Sequence, residues 1–113
     1  MEIELKTGEK LILEVTPLLL EYIEDYEGGI EKLREDAEGK KDENGYSRTM
    51  YATNHLLYAM IASNYDKELL TYRQAVKLVK LEDVDKVIDF AAKNIPALEG
   101  YKRSELMNKT HRM

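Results

Sequence analysis

Two histidines, His55 and His111, are the only imidazoles in this 113-residue chain, and cysteine is absent. A catalytic triad needs a nucleophile, a base and a group that orients the base. Here His111 falls in a weakly patterned C-terminal segment, which leaves His55 alone inside an apolar run and reads as a hydrogen-bonded structural histidine. H-E-x-x-H, G-x-x-x-x-G-K-[ST] and G-x-G-x-x-G do not occur. Carboxylates cluster at Glu21, Glu24 and Asp25, but off the apolar stripe of their helix. They are most simply a solvated face, since a glycosidase-type acid pair would need a cleft that so small a chain can hardly supply. The expectation is a protein without catalytic residues, cofactor or bound metal.

Tyrosine is the compositional oddity, with eight Tyr against one Phe and no Trp. Tyr22 and Tyr26 share one helix face, and Tyr51 and Tyr58 another. Such residues can form a core rim, where the ring is buried and the hydroxyl stays wet. They can equally form a protein-binding surface, because Tyr is enriched at binding hot spots. Tyr22, Tyr26, Tyr51 and Tyr58 are therefore the candidate interaction residues. Tyr51, Tyr58, Tyr65 and Tyr72 recur every seven residues, but a helix break expected between 64 and 70 makes that register accidental.

The elements that must position these rings follow from local pattern. Ile3 and Leu5 alternate with Glu2, Glu4 and Lys6; Thr7-Gly8-Glu9 turns; Leu11, Leu13 and Val15 resume the period of two. That is a β-hairpin over residues 1–15 with one buried face, which needs helices to cover it. Thr16-Pro17 starts a helix, with Thr as N-cap and Pro at N1. Leu19, Ile23, Tyr26, Ile30, Leu33 and Ala37 then keep one phase through Gly28-Gly29, as one kinked helix or two hinged ones. Residues 39–45 (GKKDENG) read as a polar loop. Ser47 or Thr49 can open a helix running to about residue 63 that is apolar nearly all round, hence central. Thr71 and Gln74 form a capping box before a helix with Ala75, Val76, Leu78 and Val79. A last helix opens with Glu82, Asp83 and Asp85, buries Val84, Val87, Ile88 and Ala91, and stops at Ile95-Pro96. The fold class is α+β: a short N-terminal hairpin on four to five helices. Residues 1–95 form one domain, and 96–113 a basic frayed tail.

Hydrophobic content of 43% and charged content of 35% fit a soluble globular chain. No run approaches the ~18 apolar residues of a membrane span, and MEIELKTGEK is unlike a signal peptide. The absence of cysteine removes disulfides and thiolate metal sites, which suits a reducing cytoplasm. The net charge of −5 is uneven: residues 1–38 hold 4 basic and 12 acidic side chains, residues 39–113 hold 13 and 10, and residues 100–113 hold 4 and 1. An acidic body argues against broad nucleic-acid binding, where phosphate neutralisation supplies the affinity. The basic tail fits an anionic partner, the chain's own acidic third, or plain solvation.

Three segments, LEVTPLLLEYIEDYEGG (13–29), YATNHLLYAMIASNYD (51–66) and LTYRQAVKLVKLEDVDKVIDF (70–90), carry a family resemblance. With the order hairpin, acidic helix, polar loop, apolar helix and paired short helices, the chain resembles the tail assembly chaperones of long-tailed bacteriophages or prophages of Gram-positive hosts. The likeness spans roughly residues 1–95 and consists of capping and core patterns. It brings no active-site motif and no site residues. It implies a non-catalytic protein of the bacterial host cytoplasm, absent from the finished virion. Such a protein binds the phage tape measure protein, recruits tail tube subunits and forms a homo-oligomer, with no nucleic-acid or membrane partner.

The competing class is a small acidic regulatory or nucleic-acid-mimic protein that binds a DNA-binding partner. Helices over 71–80 and 82–94 could form a helix-turn-helix. Glu82, Asp83 and Asp85 would then repel phosphate at the end of the second helix that enters the groove, so mimicry is the stronger form of that reading.

Overall fold

An antiparallel pair of three-residue strands opens the chain, β1 (Glu2–Glu4) and β2 (Lys10–Ile12), in the register Glu2↔Ile12, Ile3↔Leu11 and Glu4↔Lys10. The alternation does what its period demands: Ile3, Leu5 and Leu13 are buried, while Leu11 and Val15 are partly covered. Between the strands, the Leu5 N–H donates to the Glu9 carbonyl at 2.8 Å and the Gly8 N–H to the Leu5 carbonyl at 2.9 Å. Gly8 sits at φ +90°, where a side chain would be strained. The computed structural model describes residues 1–41, 44–45 and 47–98.

Helix α1 (Pro17–Glu24) starts where Thr16-Pro17 places it, with the Thr16 hydroxyl accepting the Leu19 N–H at 3.2 Å. The apolar stripe then crosses a corner. Gly28 and Gly29 take φ +94° and +73°, and helix α2 (Gly29–Ala37) begins on a new axis. Of the two arrangements the stripe permits, the chain therefore adopts two helices. A Cβ on Gly28 would lie 2.5 Å from the Lys32 Cβ, so this corner requires glycine for space as well as for conformation. Leu19, Ile23, Tyr26, Leu33 and Ala37 are all buried and Ile30 is half-buried.

Helix α3 (Thr49–Asn64) is the centre, with α1, α2 and the two later helices packed on it. Eight of its sixteen residues are buried, from Ala52 to Ala62, including Leu56, Leu57, Met60 and Ile61. It begins at Thr49, one of the two expected openings, but its cap position falls on neither Ser47 nor Thr49. Arg48 occupies the cap position without a capping side chain, and the Ser47 hydroxyl accepts the Thr49 N–H at 3.3 Å just before it. Of the expected loop, Lys40, Lys41, Asn44 and Gly45 are exposed, and residues 42 and 43 lie outside the described residues, as does residue 46 just after it.

Helix α4 (Tyr72–Leu78) carries the capping box: the Gln74 N–H donates to the Thr71 hydroxyl at 3.2 Å and the Thr71 N–H to the Gln74 side-chain carbonyl at 2.9 Å. A 3-10 turn, Leu81–Asp83, leads into α5 (Val84–Asn94), so Glu82 and Asp83 precede the helix rather than opening it. Val87, Ile88, Ala91 and Ala92 are buried on α5, while Val84 is only partly covered. The core does not end at residue 95. Pro96–Leu98 forms a second 3-10 turn and Leu98 is buried in the main cluster, so the frayed tail cannot begin at 96. Residues 99–113, the rest of the expected tail, lie outside the described residues.

The hairpin is fastened to the later helices by a few polar bonds. Asn64 grips Glu14 on both sides, accepting its N–H at 3.1 Å and donating to its carbonyl at 3.2 Å. The Lys6 N–H donates to the Leu78 carbonyl at 2.9 Å, and Lys80 bonds Glu4 at 2.8 Å. Lys67 also bonds Glu9, and both carboxylates are held below the ordinary glutamate range by hydrogen bonding to these ammonium groups. No helix among the described residues is long and apolar enough to cross a membrane.

Candidate interaction surface

The four tyrosines singled out by sequence meet in one ladder of rings. Tyr26 of α1's C-terminal side lies against Tyr51 at 5.6 Å and against His55 at 5.1 Å, and His55 against Tyr58 at 5.6 Å. Tyr58 meets Tyr22 edge-on at 5.2 Å, 87° between planes, and Tyr72 of α4 at 5.8 Å. These separations fall in the favourable edge-to-face range, about 0.5–1.5 kcal/mol per pair beyond burial. Arg48 caps the far end, its guanidinium 4.6 Å from the centre of the Tyr51 ring.

The members play different parts. Tyr51 and Tyr72 are exposed, at 51% and 39%, and Tyr22 and Tyr58 are half-buried, so their edges are open to a partner. Tyr26 is only 3% exposed, which corrects its assignment as an interaction residue: it is a core ring. Its hydroxyl donates to Asp36 at 2.5 Å. Burial, then that bond to a carboxylate, pushes the phenol well above the ordinary tyrosine range. Tyr58 is raised as well, by burial first and then by Tyr22 and the Asp25 carboxylate.

Asp36 was not singled out by sequence, yet it is buried to 2%, held by Tyr26 and by Lys32 at 3.4 Å. A buried carboxylate needs such partners. The signal was faint: Asp36 stands three residues after Leu33, at the edge of the apolar stripe. Tyr72 was set apart because the helix does break after Asn64, but α4 folds back on α3 and returns its ring to Tyr58. Tyr65 does not join; its hydroxyl lies 3.4 Å from Glu9.

His55 Nε2 donates to the Tyr22 carbonyl at 2.8 Å, which fixes the tautomer and occupies that nitrogen. Glu21, Glu24 and Asp25 are exposed. Glu21 and Asp25 line an open groove of about 310 Å³ with Leu18 and Tyr22. A larger groove, about 500 Å³, runs between β2 and the end of α3 and is as apolar as it is polar, with Lys10, Leu11, Ile12, Glu14, Asn64 and Asp66 among its lining. Among the described residues, no three histidine or carboxylate side chains converge in a metal-holding group. What the ladder can do is bind: it offers exposed and half-buried aromatic rings that carry hydroxyls, with exposed Leu18 beside them.

Comparison with protein-family models, with curated protein sequences and with solved structures returned no match.

Proposed function

We propose that this chain is a non-catalytic tail assembly chaperone of a long-tailed phage or prophage of a Gram-positive host. In this reading it holds the tape measure protein in the host cytoplasm, recruits tail tube subunits, and is left out of the finished virion. The observation that carries the reading is the half-exposed tyrosine ladder across α1, α3 and α4, flanked by exposed Leu18. A long apolar helix needs cover until its tube surrounds it, and an aromatic, apolar surface of this kind can supply that cover.

The test is co-expression with the tape measure and tail tube proteins encoded beside it, followed by size-exclusion chromatography with light scattering. The proposal expects the tape measure to become soluble and to co-elute with this chain. A tape measure that stays insoluble, with neither protein co-eluting, overturns it.

The exposed carboxylates of α1 and α2, Glu21, Glu24, Asp25 and Glu31, favour a second reading, mimicry of nucleic acid toward a DNA-binding protein. Release of such a protein from DNA by the pure chain would support it. Loss of that release when Glu24 and Glu31 become glutamine would tie it to these helices.

A further inference from the structure

The two outer edges of the hairpin end differently. The Leu5 N–H donates to the Glu9 carbonyl and the Leu13 N–H to the Met1 carbonyl, so the main-chain groups of odd-numbered residues meet inside the hairpin. By antiparallel alternation, those of the even-numbered residues point out of its two edges. On the β1 edge the Lys6 N–H is taken by the Leu78 carbonyl. On the β2 edge the Asn64 carboxamide takes both the N–H and the carbonyl of Glu14, the same exchange that a residue of a third antiparallel strand would make. The next two even positions on that edge, Ile12 and Lys10, have no such main-chain partner among the described residues. The groove of about 500 Å³ runs beside them, and a smaller one of about 180 Å³ continues it past Lys10 to Glu9 and Lys67. Ile12 is 59% exposed. An open strand edge is a template for one more strand.

We propose that the β2 edge is a peptide-binding site, taking an extended segment of a partner as a third antiparallel strand in which apolar residues alternate with Lys or Arg. Main-chain bonds to Ile12 and Lys10 hold the segment, and the Asn64 carboxamide fixes where it ends. Side chains of the added strand alternate between two faces. Those level with Ile12 and Lys10 lie on the outer face, against the exposed Ile12 and the aliphatic stem of Lys10. The one level with Leu11 lies on the face turned to the helices, where Asp66 lines the groove at the end of α3. Asp66 and Glu14 are exposed and form no ion pair among the described residues, whereas Lys10 already faces Glu2 at 3.8 Å. The uncompensated charge of the groove is therefore negative and selects a cationic segment. None of these residues belongs to the tyrosine ladder, so the inference does not rest on the chaperone reading.

Heteronuclear NMR on the full chain, titrated with a blocked hexapeptide of alternating isoleucine and lysine, tests it. The Ile12 and Lys10 amides should shift and gain exchange protection, while those of Tyr51, Tyr58 and Tyr72 stay in place. Methylating the isoleucine amides of the peptide, which face β2, should abolish binding, and methylating its lysine amides, which face away, should leave it intact. Ile12→Pro removes one donor from the open edge, spares the bonds inside the hairpin, and should abolish the response. Asp66→Asn should weaken binding by up to about fivefold, and the peptide with glutamate for lysine should not bind. Overturning results are no response at Ile12 and Lys10, shifts confined to the tyrosine ladder, or equal binding by the two methylated peptides or by the acidic one. So are Ile12 shifts that follow protein concentration without peptide, which would put a second copy at the edge, and an Ile12 amide already protected in the dilute free chain, which would put another segment of the same chain there.

Discussion

Replacing Tyr26 by Phe removes one oxygen and keeps the ring, its burial and its place against Tyr51 and His55. What it withdraws is the donor to Asp36, a carboxylate only 2% exposed. Lys32 remains, but its ammonium is 3.4 Å away on a side chain that is 43% exposed, so it compensates in part. A hydrogen bond to a charged group contributes about 1.5–3 kcal/mol, and a buried acceptor left short costs comparably. Tyr26→Phe should therefore destabilise by about 2 kcal/mol, read as a lower urea midpoint in far-UV circular dichroism with unchanged slope. Asp36→Asn combined with Tyr26→Phe should cost less than the sum of the two, with a coupling of about 0.5–3 kcal/mol. The same bond sets a pH dependence. The folded phenol holds its proton more tightly than the unfolded one, so this contribution is intact below about pH 10 and declines as pH rises above it. Tyr26→Phe should flatten that alkaline decline. A variant within about 0.5 kcal/mol of wild type, or one with an unaltered alkaline slope, would refute the reasoning.

Leu57, 2% exposed on the central helix, should cost about 2–5 kcal/mol as alanine, and a near-neutral urea midpoint would contradict the packing. Thr71→Ala should cost about 0.5–2 kcal/mol while Thr71→Ser stays mild, and equal thermal shifts for the two would show that the capping box contributes nothing. The Thr53 hydroxyl is buried with no hydrogen-bond partner, so Thr53→Val should raise stability by about 1 kcal/mol. A lower melting temperature for that variant would mean the hydroxyl is satisfied.

Signals that act over one turn of chain were legible in the sequence. Thr16-Pro17 and Thr71 with Gln74 work through bonds three residues long, and both caps form where their pattern places them. The period of two in the hairpin and the all-round apolarity of α3 gave the α+β class and the central helix for the same reason, since burial periodicity is local. The tyrosines were legible as pairs on helix faces but not as a ladder. Tyr72 reaches Tyr58 only because α4 reverses against α3, and no local rule specifies that reversal. Tyr26 already stood on the apolar stripe with Leu19 and Ile23, which pointed to burial, but its bond to Asp36, ten residues on and past the corner at Gly28-Gly29, was not legible. Leu98 beyond the proline escaped notice because tertiary packing, not a cap or a periodic face, holds it, and Arg48 escaped because it takes the cap position of α3 without a capping side chain.

The fastening of the hairpin bears on the order in which the chain can fold. Among the described residues, the hydrogen bonds that tie residues 4–14 to the helices end between Asn64 and Lys80, across 50 to 76 residues of chain. Closing loops of that length is entropically slow compared with forming α3 or docking α4 beside it. The two short strands precede every helix they are tied to, and alone they are barely stable. The full set of ties closes only when the chain has been made as far as Lys80. The amide of Glu14, locked by Asn64, should accordingly acquire hydrogen-exchange protection late in refolding, after the amides at the middle of α3.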